Sequence, residues 1–191
     1  MDQNSYAPAY AKPIIYLYPT KTTGIKVALG HPELITTSYP KYTNGWQVTA
    51  KPSGDLVDRK TGRKLYSLYW EGKNADASVK SNGFVIRGSD TAAFLEEKLA
   101  LLGLNEREAE EFIIYWLPKM EHNKYNYIRF QTRQEIDHYM PLNITPKPDT
   151  TIRIFMAYKP LETPINVTEQ KLSPQTRKGY TAVEWGGAEI K

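Results

Sequence analysis

Two glutamates in this chain of 191 residues stand beside tryptophans: Glu71 follows Trp70, and Glu184 precedes Trp185. Each pair runs into glycine, as WEG and EWGG. An indole packed on a carboxyl group strips it of water and raises its pKa, which suits a general acid. Two such groups facing each other across a cleft would have the layout of a glycosidase-like hydrolase. Against this, the strand neighbour of a core Trp points to the opposite face, so each Glu is expected to look into solvent. That simpler reading is preferred, and at least one Glu is expected to face water or to be tied to a Lys or Arg.

The aromatic content points to binding rather than catalysis. Four Trp and 14 Tyr exceed what one core needs, and flat exposed rings are natural platforms for sugar rings. Trp70, Trp185, Tyr42, Tyr125 and Tyr127 are the candidate ligand-binding rings, with Tyr6, Tyr10 and Tyr139 also placed in or near loops. Arg87 and Arg153 lie within apolar strands and are candidates for the same site. If buried, each needs an acidic partner, and Glu111 is one.

Other chemistries are poorly supplied. The three histidines, His31, His122 and His138, are far apart, and the E-x-x-H spacing of Glu135 and His138 has no second His pair, so no metal site is expected. The absence of Cys excludes disulfides, thiolate metal ligands and thiol nucleophiles. There is no G-x-S-x-G elbow and no phosphate-cradling glycine loop, so no cofactor is expected. The formal charge of +4 comes from scattered residues, densest at Arg59 to Lys64, which reads as a hairpin tip rather than a nucleic-acid-binding stripe. No apolar run approaches the ~20 residues of a membrane span, so no transmembrane segment is expected.

The elements that would position these residues are mostly strands. Ile14 to Tyr18, Ile25 to Leu29 and Leu34 to Tyr39 read as short strands. Asn44-Gly45 is a strong hairpin signal ahead of Trp46 to Lys51, where Trp46, Val48 and Ala50 share the core face. Leu65 to Trp70 is aromatic on both faces and reads as one central strand, followed by Gly83 to Arg87. Spacings of this kind suggest an antiparallel meander or sandwich.

The period then changes to that of helices. Ser89 or Asp90 caps a helix through Leu102, with Phe94, Leu95, Leu99 and Leu102 on one stripe and Gly103 closing it. Asn105 and Glu108 form a capping box for a second helix that buries Ala109, Phe112, Ile113, Trp116 and Leu117 and ends at Pro118. Tyr125 to Gln131, Thr151 to Tyr158 and Thr181 to Trp185 complete the strands, the second burying Ile152, Ile154, Met156 and Tyr158 on one side. Prolines between them imply extended cover segments.

Lys12 to Pro19 (KPIIYLYP), Tyr69 to Gly72 (YWEG), Leu102 to Met120 (with IYWLPKM) and Val183 to Gly187 (VEWGG) resemble a widespread, functionally uncharacterised family of bacterial proteins. Many of its members look secreted or lipoprotein-like. The resemblance runs over nearly the whole chain from Lys12. It implies an envelope or extracellular location and carries over no catalytic residues.

The expected fold is α+β, an antiparallel sandwich-like β-domain with an inserted α-helical hairpin at about 89–118. A flexible lead-in over 1–11 precedes a single globular domain over 12–191. The leading functional expectation is an extracellular or cell-envelope ligand-binding domain whose partner is a glycan or cell-wall component. The alternatives are a hydrolase pairing Glu71 with Glu184, and a protein interaction module. Oligomeric state is left open.

Overall fold

A computed structural model describes residues 11–73, 75 and 77–191. Tyr6 and Tyr10, and all of the expected lead-in but Ala11, lie outside the described residues. In chain order the strands are β1 (Ala11–Tyr18), β2 (Thr23–Leu29), β3 (Ile35–Tyr39), β4 (Trp46–Ala50), β5 (Leu56–Asp58), β6 (Lys64–Leu65), β7 (Leu68–Gly72) and β8 (Asn82–Arg87). The hairpin helices α1 (Thr91–Leu101) and α2 (Glu106–Met120) follow. Next come β9 (Tyr125–Phe130), helix α3 (Arg133–Tyr139), β10 (Leu142–Thr145), β11 (Thr150–Leu161), β12 (Thr168–Glu169) and β13 (Thr181–Glu189).

The strands form two sheets. The larger runs β12-β8-β9-β11-β13-β1-β7-β3 and the smaller β10-β2-β4-β5-β6. Alternation along each strand sends one set of side chains to each face. From β1, Ile15 and Leu17 enter a core that also holds Val27, Trp46 and Val48 of the small sheet. Ile14 and Tyr16, on the other face, pack with Leu95, Phe112 and Trp116 of the helical hairpin. The large sheet is thus covered on both sides, by the small sheet on one and by α1 and α2 on the other. That is why the first eight residues of β13 are all buried, where a half-buried strand would alternate. The expected α+β sandwich with its helical hairpin is the observed architecture.

Several local expectations change. The central pair β11 and β13 is parallel, from Thr150 opposite Thr181 to Tyr158 opposite Glu189. The chain returns there after reaching the far edge, where β12 pairs in parallel with β8. The sheet is therefore mixed rather than purely antiparallel.

The Asn44-Gly45 turn does not make a hairpin of β3 and β4. β3 pairs with β7, and β4 pairs with β2 and β5, so the turn passes the chain from one sheet to the other. Turn chemistry sets a local reversal and leaves the pairing partner open. The run Leu65 to Trp70 is likewise split between sheets: Leu65 ends the small one, Leu68 begins its strand in the large one, and both pack in the same core.

Pro118 lies inside α2, which continues to Met120. Ile114, whose carbonyl loses its partner, is 67% exposed, so water can replace the missing N–H. β13 also runs past Trp185 through both glycines to Glu189. A Cβ on Gly187 would sit 2.7 Å from the Trp116 ring and 2.5 Å from the Met156 carbonyl oxygen, so the bare backbone is what lets α2 lie this close.

Candidate functional site

The richest assembly of polar and aromatic groups lies where β1 meets the start of α2. Tyr16 and Tyr18 are two residues apart on β1 and share the helix-facing side, their rings 5° from parallel with centroids 6.4 Å apart. The Trp185 indole N–H donates to the Tyr16 hydroxyl at 3.0 Å, and that hydroxyl donates to Glu111. Arg107 stands 3.6 Å from the same glutamate, one helical turn away. Burial, reinforced by the Glu111 charge, pushes the Tyr16 hydroxyl well above its ordinary pKa and keeps it a donor.

Glu108 anchors the other tyrosine. Its side chain is fully buried and each oxygen accepts two hydrogen bonds. Oε1 takes the Tyr18 hydroxyl at 2.6 Å and Arg177 at 2.8 Å. Oε2 takes the Asn105 backbone N–H at 3.0 Å and Arg177 at 2.9 Å. Four donors fill the roughly four lone-pair sites of a carboxylate, so Glu108 has no acceptor capacity left for a substrate. Its work is positional: it closes the capping box, holds Tyr18, and clamps Arg177 over the Tyr18 ring at 5.0 Å.

In front of this network lies an open cleft of about 380 Å³. Tyr16 and Tyr18 meet it, with Asn105 and Arg107 on one wall and Lys64, Leu65 and Tyr66 on another. The turn Ser53 to Asp55 closes the third side. Gly54 has φ +90°, and a Cβ there would lie 2.7 Å from the Tyr18 ring, so this turn can pack on the tyrosine only as glycine. Tyr66 is 47% exposed at the mouth, with the Arg107 guanidinium 5.3 Å from its ring centre. The cleft therefore presents an accessible aromatic ring beside Arg107, Lys64 and Asp55.

The glutamates singled out by their tryptophan neighbours do not meet. Glu184 is fully buried between the sheets, where Oε1 accepts from the Trp70 indole at 2.9 Å and Oε2 from Arg153 at 2.6 Å. Glu71 lies on the opposite face of the large sheet, beside Tyr69 and near Tyr115 of α2. The two carboxylates cannot flank one substrate. The expectation that each would look into solvent also fails for Glu184. Trp185 does point away from it, but both faces of this sheet are covered, so the opposite face is a second core.

The other expected binding residues lie outside the lining of this cleft. Trp70 and Trp185 are both fully buried and offer no platform. Tyr127 is also fully buried, its hydroxyl donating to the Asn82 carbonyl and accepting from Lys80 N–H. Tyr42 is half-buried, edge-on to Trp46, and accepts from Leu29 N–H. Tyr125 is half-buried and pairs with Arg87 across the ladder.

Arg87 is exposed at the end of β8 and needs no buried partner. Arg153 has partners, but they are Glu184, Asp137 at 2.8 Å and the Met140 carbonyl rather than Glu111. Glu135 and His138 do share helix α3, with Glu135 committed to Arg129 and to the Thr132 cap. Among the described residues no three His, Cys, Asp or Glu side chains gather as a metal site.

The tyrosine cleft was not singled out from sequence as a site. The signal was present in the i, i+2 spacing of Tyr16 and Tyr18 on a strand, but their shared face becomes meaningful only once the capping box of α2 is brought against it. Comparison with protein-family models, curated proteins and solved structures finds no match.

Proposed function

We propose that this chain is a ligand-binding domain that holds a glycan unit in the cleft between β1, Tyr66 and the start of α2. The observation that carries this is the accessible Tyr66 ring set beside the parallel Tyr16 and Tyr18 rings and flanked by Arg107, Lys64 and Asp55. The C–H face of a sugar ring packs on an aromatic face, and its hydroxyls need donors and acceptors at the rim. Arg107 and Lys64 supply donors, and Asp55 supplies an acceptor. A volume of about 380 Å³ lies at the small end of ligand pockets, which suits one or two sugar rings better than an extended chain.

Binding is favoured over hydrolysis because both glutamates beside the cleft are already engaged, which leaves Asp55 in the lining without a second carboxylate to pair with. Glu108 is saturated by four donors, and Glu111 holds Tyr16 and Arg107. An envelope or extracellular location, with a cell-wall saccharide as partner, is the setting that the family resemblance suggests. A glycan array probed with the labelled protein tests the reading. Recognition of a defined saccharide, abolished in Tyr66→Ala, supports it; a blank array, or signal that Tyr66→Ala leaves intact, contradicts it.

A further inference from the structure

The small sheet carries a second pocket, lined by none of the residues of the tyrosine cleft. It encloses about 510 Å³ beside the β4 start and the β5–β6 turn. Four cations border it: Lys26 from β2, Lys41 from the segment before β4, and Arg59 with Lys60 from the turn. All four are exposed, and none forms an ion pair among the described residues.

The acid in the lining does not neutralise them. Asp58 is 5% exposed, and its carboxylate closes the turn. It accepts from the Thr61 hydroxyl at 2.5 Å and backbone N–H at 3.2 Å, and from the Lys60 N–H at 3.4 Å. The charge is also regional. Residues 19–65 contain eight Lys or Arg against three Asp or Glu, a balance of +5 where the whole chain has +4. The net positive charge, rather than the basic residues themselves, thus falls in this stretch, where acids are few.

The frame beneath the cations is fixed. The Trp46 indole donates to the Pro40 carbonyl at 2.7 Å, and the Tyr42 ring meets Trp46 edge-on at 4.8 Å. The wall carrying Lys41 is thereby pinned to β4, and the pocket exists before any ligand arrives. Like charges held around one concavity raise its positive potential and attract anions, and Arg adds a planar donor fork that matches phosphate oxygens.

We propose that this pocket binds a small phosphate-bearing anion with two or more negative charges. The ligand would sit between the Lys41 and Lys60 sides, with Arg59 and Lys26 completing its neutralisation. Neutral saccharides are not ligands for it, which separates it from the tyrosine cleft.

The test is a titration of inorganic pyrophosphate into isotope-labelled protein, followed by backbone amide resonances. Saturable shifts confined to Gly45, Trp46 and the 58–61 turn are expected. Affinity should fall at least about tenfold between about 50 and about 300 mM NaCl, as screening of exposed charges requires. The variant pair Lys41→Ala with Lys60→Ala should lose the shifts at unchanged melting temperature, while Lys147→Ala, outside the pocket, should keep them.

Co-sedimentation with phosphatidylcholine vesicles, with and without phosphatidate, separates the two sources of such an anion. Phosphatidate-dependent pelleting that the double variant loses assigns the site to a lipid headgroup. Pyrophosphate shifts without pelleting assign it to a soluble phosphate. Absence of saturable binding to both probes, or wild-type binding by the double variant, overturns the proposal.

Discussion

Arg153 and Glu184 stand opposite each other on the parallel pair β11 and β13, and Nε donates to Oε2 across 2.6 Å with neither side chain exposed. A motif that reads as a candidate acid catalyst is thereby committed to holding a core together. Asp137 and the Met140 carbonyl both accept from the Nη1 side of the guanidinium, so α3 and the residue that ends it are tied to the same point.

Removing Arg153 leaves the buried Glu184 carboxylate without its counterion, whereas removing Glu184 leaves Arg153 its Asp137 partner. Arg153→Met is expected to destabilise by about 3–5 kcal/mol, and Arg153→Met with Glu184→Leu together should recover a large part of that. Urea melts of the two single variants and the double variant check this. Additive losses in the double variant would show that the pair is not coupled.

The fold was legible where local chemistry and global packing agree. Asn105 and Glu108 announce the start of α2, and both halves of the capping box form as the spacing requires. Trp46, Val48 and Ala50 alternate into the core as their period dictates. What failed was everything that depends on which sheet a strand joins. Leu65 and Leu68 carry the same apolar signal on either side of a sheet change, and nothing near Gly45 says that β3 pairs with β7. The site was obscured for a related reason. Glu184 looks like an exposed neighbour of Trp185 until both faces of β13 are known to be covered. Tyr16 and Tyr18 look like filler until Glu108 and Glu111, some 90 residues later, are placed against them.

Trp116 is 1% exposed and meets Tyr115 and Tyr158 edge-on. Trp116→Ala should cost about 3–5 kcal/mol through the cavity it leaves between α2 and the large sheet. An unchanged denaturation midpoint would show that α2 does not depend on this ring.

Tyr180 is 8% exposed, and its hydroxyl has no hydrogen-bond partner among the described residues. Tyr180→Phe removes an unsatisfied polar group and should be neutral or stabilising by about 1 kcal/mol. Burial pushes the Tyr180 hydroxyl up to about 12. Because the folded pKa lies above the unfolded value of about 10, the folded state holds the proton more tightly. That contribution is full below about pH 10 and is lost as the pH rises from there through about 12. Tyr180→Phe should therefore lose less stability than wild type across this window, as read by thermal melts from pH 9 to 12. Parallel curves would contradict it.

Glu135 offers the acid-side counterpart. Burial opposes its ionisation. The Thr132 backbone N–H, then the Arg129 guanidinium and the Thr132 hydroxyl, outweigh this and hold its carboxyl below the usual carboxylate range. A depressed folded pKa contributes stability above the unfolded value, and that stability disappears as the pH falls through the folded one. Glu135→Gln should flatten the acid limb of stability below about pH 4 while lowering stability at neutral pH. An acid limb as steep as that of wild type would show that Glu135 is not among the groups that set it.

Occupancy of the tyrosine cleft is read most directly by isothermal titration calorimetry of an array-selected saccharide against wild type, Tyr66→Ala and Tyr125→Ala. Loss of the Tyr66 platform should weaken binding at least about tenfold, the equivalent of roughly 1.4 kcal/mol. Tyr125→Ala should bind as wild type, because Tyr125 lies outside the cleft. Equal affinity for wild type and Tyr66→Ala would place the saccharide elsewhere on the molecule and contradict the assignment.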